Sequence, residues 1–285
     1  MSRSCIITDS SVYFSTLTYP GHELVTVLPI QVEVGDKAFN DSKDPKDIKI
    51  WYGNLDSHKP RLNIPGVGDF GRLFQRLSQS FDSIIVILHS GQLSLLSENA
   101  RQAAQQVKHP DGIYIIDSQT IGAGLGVLVQ AAAQSSMQQQ DAASISQMLR
   151  GMLPHIYTVF FLPNFSYLAN SGYLDPAQAV VGEMLGFFPF YVLESGRMVS
   201  IQKARNSRQL VEMLSEFVTE FTDLRYITLF QGYPPYEQEM RSLRERITKS
   251  FPETPVTEHH LSLSLLSLLG PRPLGVVVVE KSTSN

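Results

Sequence analysis

Three apolar runs of this chain each end in a small cluster of hydroxyl, imidazole and acidic side chains, the residue types best suited to bind or transform a polar ligand. The clusters are Asp9-Ser10-Ser11, His89-Ser90-Gly91 with Ser94, and Asp117-Ser118. Continuous Ile and Val runs are typical of strands buried on both faces of a parallel sheet. Because ligands of such sheets bind outside the carboxyl ends of the strands, the clusters predict one polar site at one sheet edge.

The same clusters have a second interpretation. Ser and Asp are good helix caps, and each cluster precedes a segment with a helical pattern. Hydroxyls beside free helix amides would equally form a site for an anionic ligand. Helix capping and anion binding therefore both remain open.

Nucleophilic catalysis has weaker support. A Ser–His pair could form from His89 and a neighbouring serine, but His89 and Ser90 are adjacent, and adjacent residues of an extended segment point to opposite sides. The G-x-S-x-G pattern of a nucleophile elbow is absent from the sequence. We predict no catalytic residue and keep an enzyme built on His89 and Ser90 as an alternative.

No cofactor or metal site is predicted. The glycines of Gly122–Gly126 lie between a strand and a helix, but a dinucleotide fingerprint would need a third glycine at Val127. We interpret them as sites of close helix–sheet packing. His259 and His260 have no further ligand at a metal-binding spacing, so we predict that they lie in a solvated loop.

Bulk composition limits the class of protein. The chain has 285 residues, 43% hydrophobic and 18% charged, which fits an ordered protein of two domains. A net charge of -4 disfavours a nucleic-acid partner. The single cysteine, Cys5, falls in an apolar run, so we expect a core residue in a reducing compartment. No run approaches the roughly 18 to 20 apolar residues of a membrane span, and we expect a cytoplasmic protein.

The pattern of elements changes near residue 155. Residues 1–155 alternate short strands and helices, which predicts an N-terminal parallel-sheet α/β domain. Residues 156–285 predict a C-terminal α+β domain with a hairpin at Glu194–Arg197. Within it, the apolar helix Ala177–Leu185 and the strand Phe187–Leu193 are either core or the lining of an acyl-chain cavity.

The order of these motifs resembles the DegV family of bacterial fatty-acid-binding proteins, which includes the binding subunit of fatty acid kinase. The similar segments cover nearly the whole chain and include counterparts of the family's opening T-D-S turn, its L-S-S-G-L-S segment and its closing G-P-G-A-L-G. They are Ile6–Ser11, Val27–Val32, Pro60–Phe70, His89–Ser94, Ile116–Gly126, Leu168–Gly172, Glu194–Arg197 and Gly270–Val276.

This resemblance implies a non-catalytic lipid carrier without a cofactor. It would hold a long-chain fatty acid with the acyl chain in the second domain and the carboxylate at the interdomain cleft, where a separate kinase would phosphorylate it. Arg205 matches a basic residue used for kinase docking. The ligand-binding residues that the resemblance implies are Ser10, Asn63, Ser90, Gly91 and Ser94.

Several donors of the family pattern are replaced in this chain. The loop Thr and Ser fall on Leu62 and Asn63, the second Ser of L-S-S-G falls on Gly91, and a polar residue, often His, falls on Leu268. Restoring Gly91→Ser is expected to tighten carboxylate binding by roughly 1 kcal/mol. Tyr173 replaces another basic residue. The alternative function is a diverged DegV-like protein that binds another small ligand or a protein partner.

Overall fold

The computed structural model describes residues 4–16, 18–55, 59–107, 110–163, 165–170 and 174–281. Tyr173, which replaces a basic residue of the family pattern, lies outside these residues.

The described part of the chain up to residue 155 alternates short strands with helices. The strands are β1 (Ser4–Asp9), β2 (Val25–Leu28), β3 (Gln31–Val34), β4 (Lys37–Asn40), β5 (Arg61–Asn63), β6 (Ser83–Leu88) and β7 (Ile113–Asp117). The helices are α1 (Pro45–Tyr52), α2 (Val67–Leu77), α3 (Leu96–Gln105), α4 (Ala123–Met137) and α5 (Ala142–Met152).

The described residues after 155 form a second series of elements. The strands are β8 (Ile156–Phe161), β9 (Phe188–Glu194), β10 (Arg197–Ala204), β11 (Leu224–Gln231), β12 (Val256–His260) and β13 (Leu274–Glu280). The helices are α6 (Phe165–Asn170), α7 (Pro176–Met184), α8 (Ser207–Thr219), α9 (Glu237–Ser250) and α10 (Leu263–Leu269).

A parallel sheet with strand order β2–β1–β6–β7 carries the three polar clusters. Every residue of β1 is buried, and in β6 all but Ser83 are buried. Helices α3, α4 and α5 pack on this sheet, so the central strands β1 and β6 have no solvent-facing side, whereas the edge strand β7 is mostly half-buried. The parallel α/β prediction for this part of the chain is confirmed.

A mixed sheet organises the second part of the chain, in the order β10–β9–β8–β13–β11–β12. Strand β13 runs antiparallel to both β8 and β11, whereas β11 and β12 are parallel. The apolar faces of α8 and α9 pack on it through a core that includes Leu214, Leu243 and Val276. Three short strands form a separate sheet, β4–β3–β5. These mixed elements confirm the α+β prediction.

Contacts divide the chain into two compact units. The first comprises residues 1–31, 63–155 and 195–197, and the second comprises residues 32–62, 156–194 and 198–285. The domain boundary at residues 155 and 156 stays a prediction, because a contact unit and an independently folding domain are different quantities.

The turn between β9 and β10 has the backbone conformation that its residue types predict. Ser195 and Gly196 both have positive φ, 48° and 80°, as a tight hairpin between β9 and β10 requires.

Cys5 is 1% exposed within β1, and burial raises the pKa of its thiol to about 12. Cys5 is therefore a core residue. None of the described helices has the length and apolar character needed to cross a membrane.

The predicted solvated loop at His259 and His260 is wrong. Both residues belong to β12, which pairs with β11. Burial lowers the pKa of His259 to about 3, so its ring is neutral at ordinary pH. Strand β12 lies at the edge of its sheet and is short and polar, so the sequence has no apolar alternation by which to recognise it. No group of three or more potential metal ligands occurs among the described residues.

The glycines after β7 serve close packing, as predicted, although their partner is a loop. A Cβ on Gly126 would lie 1.9 Å from the carbonyl oxygen of Tyr13, in the segment that follows β1. The backbone N–H of Tyr13 also donates to the Gly122 carbonyl over 3.0 Å. Helix α4 therefore approaches the polar end of β1 at a distance that only glycine allows.

Substitution of Gly126 tests this close approach. Gly126→Ala should lower the free energy of unfolding by about 1 to 3 kcal/mol, because the added methyl group must displace backbone atoms. Gly71→Ala is the matched control, since α2 has open space at that position and alanine is the better helix former by about 1 kcal/mol. Urea unfolding of both variants measures the difference; equal stability would contradict the close packing of α4.

Candidate functional site

The carboxyl ends of β1, β6 and β7 lie side by side in the first unit. Asp9 ends β1, Asp117 ends β7 opposite Leu88, and His89 follows β6 directly. The parallel order of the strands therefore gathers the three predicted clusters at one edge, as their positions after the apolar runs indicated.

Asp9 is the hydrogen-bonding centre of this edge. Its side chain has no exposed surface, and one carboxylate oxygen accepts the backbone N–H of Ser11 over 3.0 Å and its hydroxyl over 2.5 Å. The other oxygen accepts the backbone N–H of His89 over 2.8 Å. Asp9 thus ties the end of β1 to the end of β6.

Asp9 also faces the imidazole of His89. The His89 Nδ1 atom lies 3.1 Å from Asp9 Oδ1, and neither side chain is exposed. Burial by itself would raise the pKa of Asp9, but the positive charge of a protonated His89 and the hydrogen bonds from His89 and Ser11 outweigh it and lower the pKa below its ordinary value. An ionised Asp9 requires a proton on His89 Nδ1, because a carboxylate offers only acceptors.

Ser94 lies at the other end of the same imidazole. The distance from His89 Nε2 to Ser94 Oγ is 2.7 Å, and the backbone N–H of Leu96 donates to Ser94 Oγ over 3.3 Å. Ser94 is half-buried, so it is the member of the Asp9–His89–Ser94 series that a ligand can reach. Sequence reasoning placed Ser94 in this cluster but paired His89 with its neighbour Ser90; a turn brings Ser94 back to the imidazole.

This carboxylate–imidazole–hydroxyl series has the order of a hydrolase triad but lacks one requirement. A general base must pass its proton to a leaving group and later take one from water. His89 has no exposed surface through which either could approach Nε2. The geometry therefore fits the orientation of the Ser94 hydroxyl better than its use as a nucleophile.

Ser90 is committed to the protein itself. Its hydroxyl donates to the carbonyl of Gly196 over 2.7 Å and accepts the backbone N–H of Gln92 over 3.2 Å, and the residue has no exposed surface. Ser90 is thus hydrogen-bonded to the Ser195–Arg197 turn, which belongs to the first unit. Its role as a ligand-binding residue stays a prediction.

The backbone of Gly91 lies close to the carboxylate of Asp117. Its backbone N–H donates to Asp117 Oδ1 over 3.0 Å, and the same oxygen accepts the backbone N–H of Gln119. A Cβ on Gly91 would lie 2.7 Å from Asp117 Oδ2. Gly91→Ser therefore adds a donor only if the Asp117 carboxylate shifts, and tighter carboxylate binding by this variant stays a prediction.

The two remaining predicted residues occupy different sheets. Ser10 joins the ends of β1 and β2, since its hydroxyl accepts the backbone N–H of Ile30 over 2.9 Å. Asn63 is an exposed residue at the end of β5. The structure therefore brings Ser10, Ser90, Gly91 and Ser94 to the edge of one sheet and places Asn63 on another.

A groove of about 640 Å³ lies within the second unit. Its walls come from α7, β9 and β10, together with Phe165 of α6 and Phe187. Most of the lining is apolar, and among the described residues that line it Lys203 is the one cation. The lining residues are Phe165, Ala177, Gln178, Val181, Gly182, Leu185, Phe187, Pro189, Ser200, Ile201, Gln202 and Lys203. The volume is in the range of pockets that hold small ligands, about 300 to 1,000 Å³.

Helix α7 is apolar without being core. Ala179 is its one buried residue, while Val181 is 55% exposed and Met184 is 82% exposed. In contrast, Phe190 and Tyr191 of β9 are buried. Of the two segments that the sequence left open between core and cavity lining, β9 therefore belongs largely to the core, whereas α7 turns apolar side chains to the groove and to solvent.

Arg205 directly follows β10 and is exposed. Its guanidinium lies 5.9 Å from the centre of the Phe187 ring, and Lys203 Nζ lies 4.2 Å from the same ring. Phe187 thus gathers two cationic side chains at the groove. The docking role of Arg205 stays a prediction.

Comparisons with known proteins agree with this architecture. A DegV domain-containing protein of Streptomyces coelicolor is 25% identical over 288 residues, which cover 99% of this chain and 100% of that protein. A fatty-acid-binding DegV family protein of Streptococcus agalactiae has a TM-score of 0.86 at 19% identity, with 99% of this chain and 100% of that one covered.

A third similar protein was solved with a lipid. The fatty acid kinase (Fak) B3 protein of Streptococcus pneumoniae, loaded with linoleic acid, has a TM-score of 0.81 at 21% identity and covers 98% of this chain and 100% of its own. The family model described as "Uncharacterised protein, DegV family" matches residues 4–281. The chain is therefore a member of the DegV family.

Proposed function

We propose that this chain is a cytoplasmic lipid carrier that binds one long-chain fatty acid, with the acyl chain in the groove of the second unit. The observation that carries the proposal is helix α7, whose apolar side chains line an open groove instead of entering the core. The fatty-acid-binding relatives of Streptococcus agalactiae and Streptococcus pneumoniae support it through their shared fold.

The energetics favour binding through the acyl chain. Each buried CH₂ group contributes about 0.8 kcal/mol, so a long chain supplies most of the affinity even where the head group is weakly held. The chain acts as a non-catalytic binding subunit, and phosphorylation of the carboxylate belongs to a separate kinase.

A lipid with another head group is the second candidate ligand. The hydroxyl of Ser90 and the backbone N–H of Gly91 are both occupied by protein acceptors. Fewer donors are therefore available for a carboxylate than the family pattern implies. Mass spectrometry of organic extracts from the purified protein distinguishes a fatty acid from a neutral lipid.

Filling the groove should block the acyl chain. Val181 and Val180 are neighbours on α7 and are 55% and 57% exposed, but Val181 alone of the two lines the groove. Val181→Trp should weaken fatty-acid binding by about tenfold or more, equivalent to roughly 1.4 kcal/mol, because the indole occupies the volume of several CH₂ groups.

Val180→Trp is the matched control and should bind as the unsubstituted protein does. Titration with a fluorescent fatty acid measures both variants, and thermal unfolding verifies that both are folded. Equal binding by the two variants would place the acyl chain elsewhere and remove the main support for the carrier function.

The kinase proposal rests on Arg205. Rim charges mainly control association rate and salt dependence. We expect weak, salt-sensitive association with the fatty acid kinase subunit of the same organism, which Arg205→Glu abolishes. Arg208→Glu is the control, since Arg208 is exposed on the neighbouring helix and pairs with Glu212 over 2.9 Å. Surface plasmon resonance at two salt concentrations measures the binding; association indifferent to Arg205→Glu would show that docking uses another surface.

A further inference from the structure

One face of α7 lines the groove of the second unit, and the two ends of that face lie beside opposite charges. The lining residues on this face are Ala177, Gln178, Val181, Gly182 and Leu185. Leu185 directly follows the helix, and Phe187, two residues further along the chain, brings the Lys203 ammonium to this end of the groove. Ala177 lies about 12 Å away along the helix axis, at a rise of about 1.5 Å per residue.

The Lys203 ammonium is the positive charge at one end. Its Nζ atom lies 4.2 Å from the centre of the Phe187 ring, within the range of cation–π attraction, which holds the charge at the groove. The guanidinium of Arg205, 5.9 Å from the same ring, adds a second positive charge nearby. Among the described residues, no carboxylate lies within ion-pair distance of Lys203.

A negative charge lies at the opposite end. Asp175 caps α7, and its carboxylate accepts the backbone N–H of Ala177 over 2.9 Å. The other acidic residues of α7 and β9, Glu183 and Glu194, are exposed and do not line the groove. An anion that enters the groove is therefore repelled at the Ala177 end and attracted at the Leu185 end.

The walls between the two ends are apolar. The ring of Phe165 lies so close to α7 that a Cβ on Gly182 would lie 2.7 Å from its Cε1 atom. Val181 of α7 and Ile201 of β10, which also line the groove, are 55% and 48% exposed. An alkyl chain that covers these side chains removes apolar surface from water, whereas a charged head group in the same place would lose its hydration.

We propose that a fatty acid lies in this groove with its carboxylate beside Lys203 and its methyl end toward the first turn of α7, so that Lys203 selects lipids with an anionic head group. The inference rests on the proposed carrier function and assigns the head group to the same unit as the acyl chain. The donors of Ser90 and Gly91 are bound to protein acceptors, whereas the Lys203 ammonium has no carboxylate partner of its own among the described residues.

Protection of an edge strand is the alternative explanation for Lys203. Strand β10 is the outermost strand of its sheet, and lysines on such strands prevent pairing with another chain. That role involves no ligand. It predicts self-association when the charge is removed and an unchanged preference among lipids, so the test compares ligands that differ only in the head group.

The experiment measures dissociation constants of dodecanoic acid, dodecan-1-ol and dodecylamine for the full chain by calorimetry at about pH 8, where the acid is ionised and the amine is protonated. Lys203→Met removes the charge and keeps the apolar stem, so it should weaken binding of the acid relative to the alcohol by about fivefold. Lys203→Glu should reverse the preference between acid and amine. Added salt should reduce both effects.

Lys249→Met is the matched control, because Lys249 is exposed on α9 of the same unit and does not line the groove. It removes the same charge and should keep the ratios of the three constants. Gel filtration of every variant detects self-association through β10.

The outcomes distinguish this inference from the carrier function. Unchanged ratios in both Lys203 variants, with binding still blocked by Val181→Trp, would place the carboxylate elsewhere and leave the carrier function standing. An equal loss of affinity for all three ligands would assign Lys203 to the fold or to edge protection and would also overturn the inference. Failure of the unsubstituted protein to bind any of the lipids would overturn the carrier function and the inference together.

Discussion

The buried carboxylate of Asp9 holds the polar edge of the parallel sheet together. A charge without solvent contact is costly unless hydrogen bonds compensate it, and Asp9 obtains them from the segment after β1 and from the first residue after β6. Those bonds fix the backbone at His89 and orient its imidazole. The position of Ser94, and with it any head-group recognition at this edge, depends on that one satisfied charge.

The polar edge is built more for internal bonding than for capture of an anion. Ser90 donates to Gly196, the Gly91 amide donates to Asp117, and Ser10 accepts from Ile30. The sequence allowed these clusters to be either helix caps or an anion site. In the structure, most of their hydrogen-bonding groups are bound to other groups of the protein. In the proposed carrier, a lipid is held mainly by its chain in the apolar groove.

Much of the fold could be predicted from the sequence. The Ile and Val runs of β1, β6 and β7 predicted a parallel sheet because strands covered on both faces need apolar side chains on both faces. The Ser195-Gly196 turn and the glycine contacts of α4 followed from the backbone freedom of small residues. The strand at His259 and His260 could not be predicted, because its pairing with β11 is non-local and its side chains do not alternate.

The candidate site, like the fold, could be predicted from the sequence only in part. By itself the sequence determined which residues end the strands, and the geometry of a parallel sheet requires those ends to share an edge. Only the tertiary structure decided which hydroxyl faces which acceptor: Ser94 rather than Ser90 reaches His89, and Gly91 closes on Asp117. Likewise, composition marked α7 as apolar, but packing decided that it borders a groove. Hydrogen-bond direction and burial depend on residues far apart in the chain, and local pattern carries no information about them.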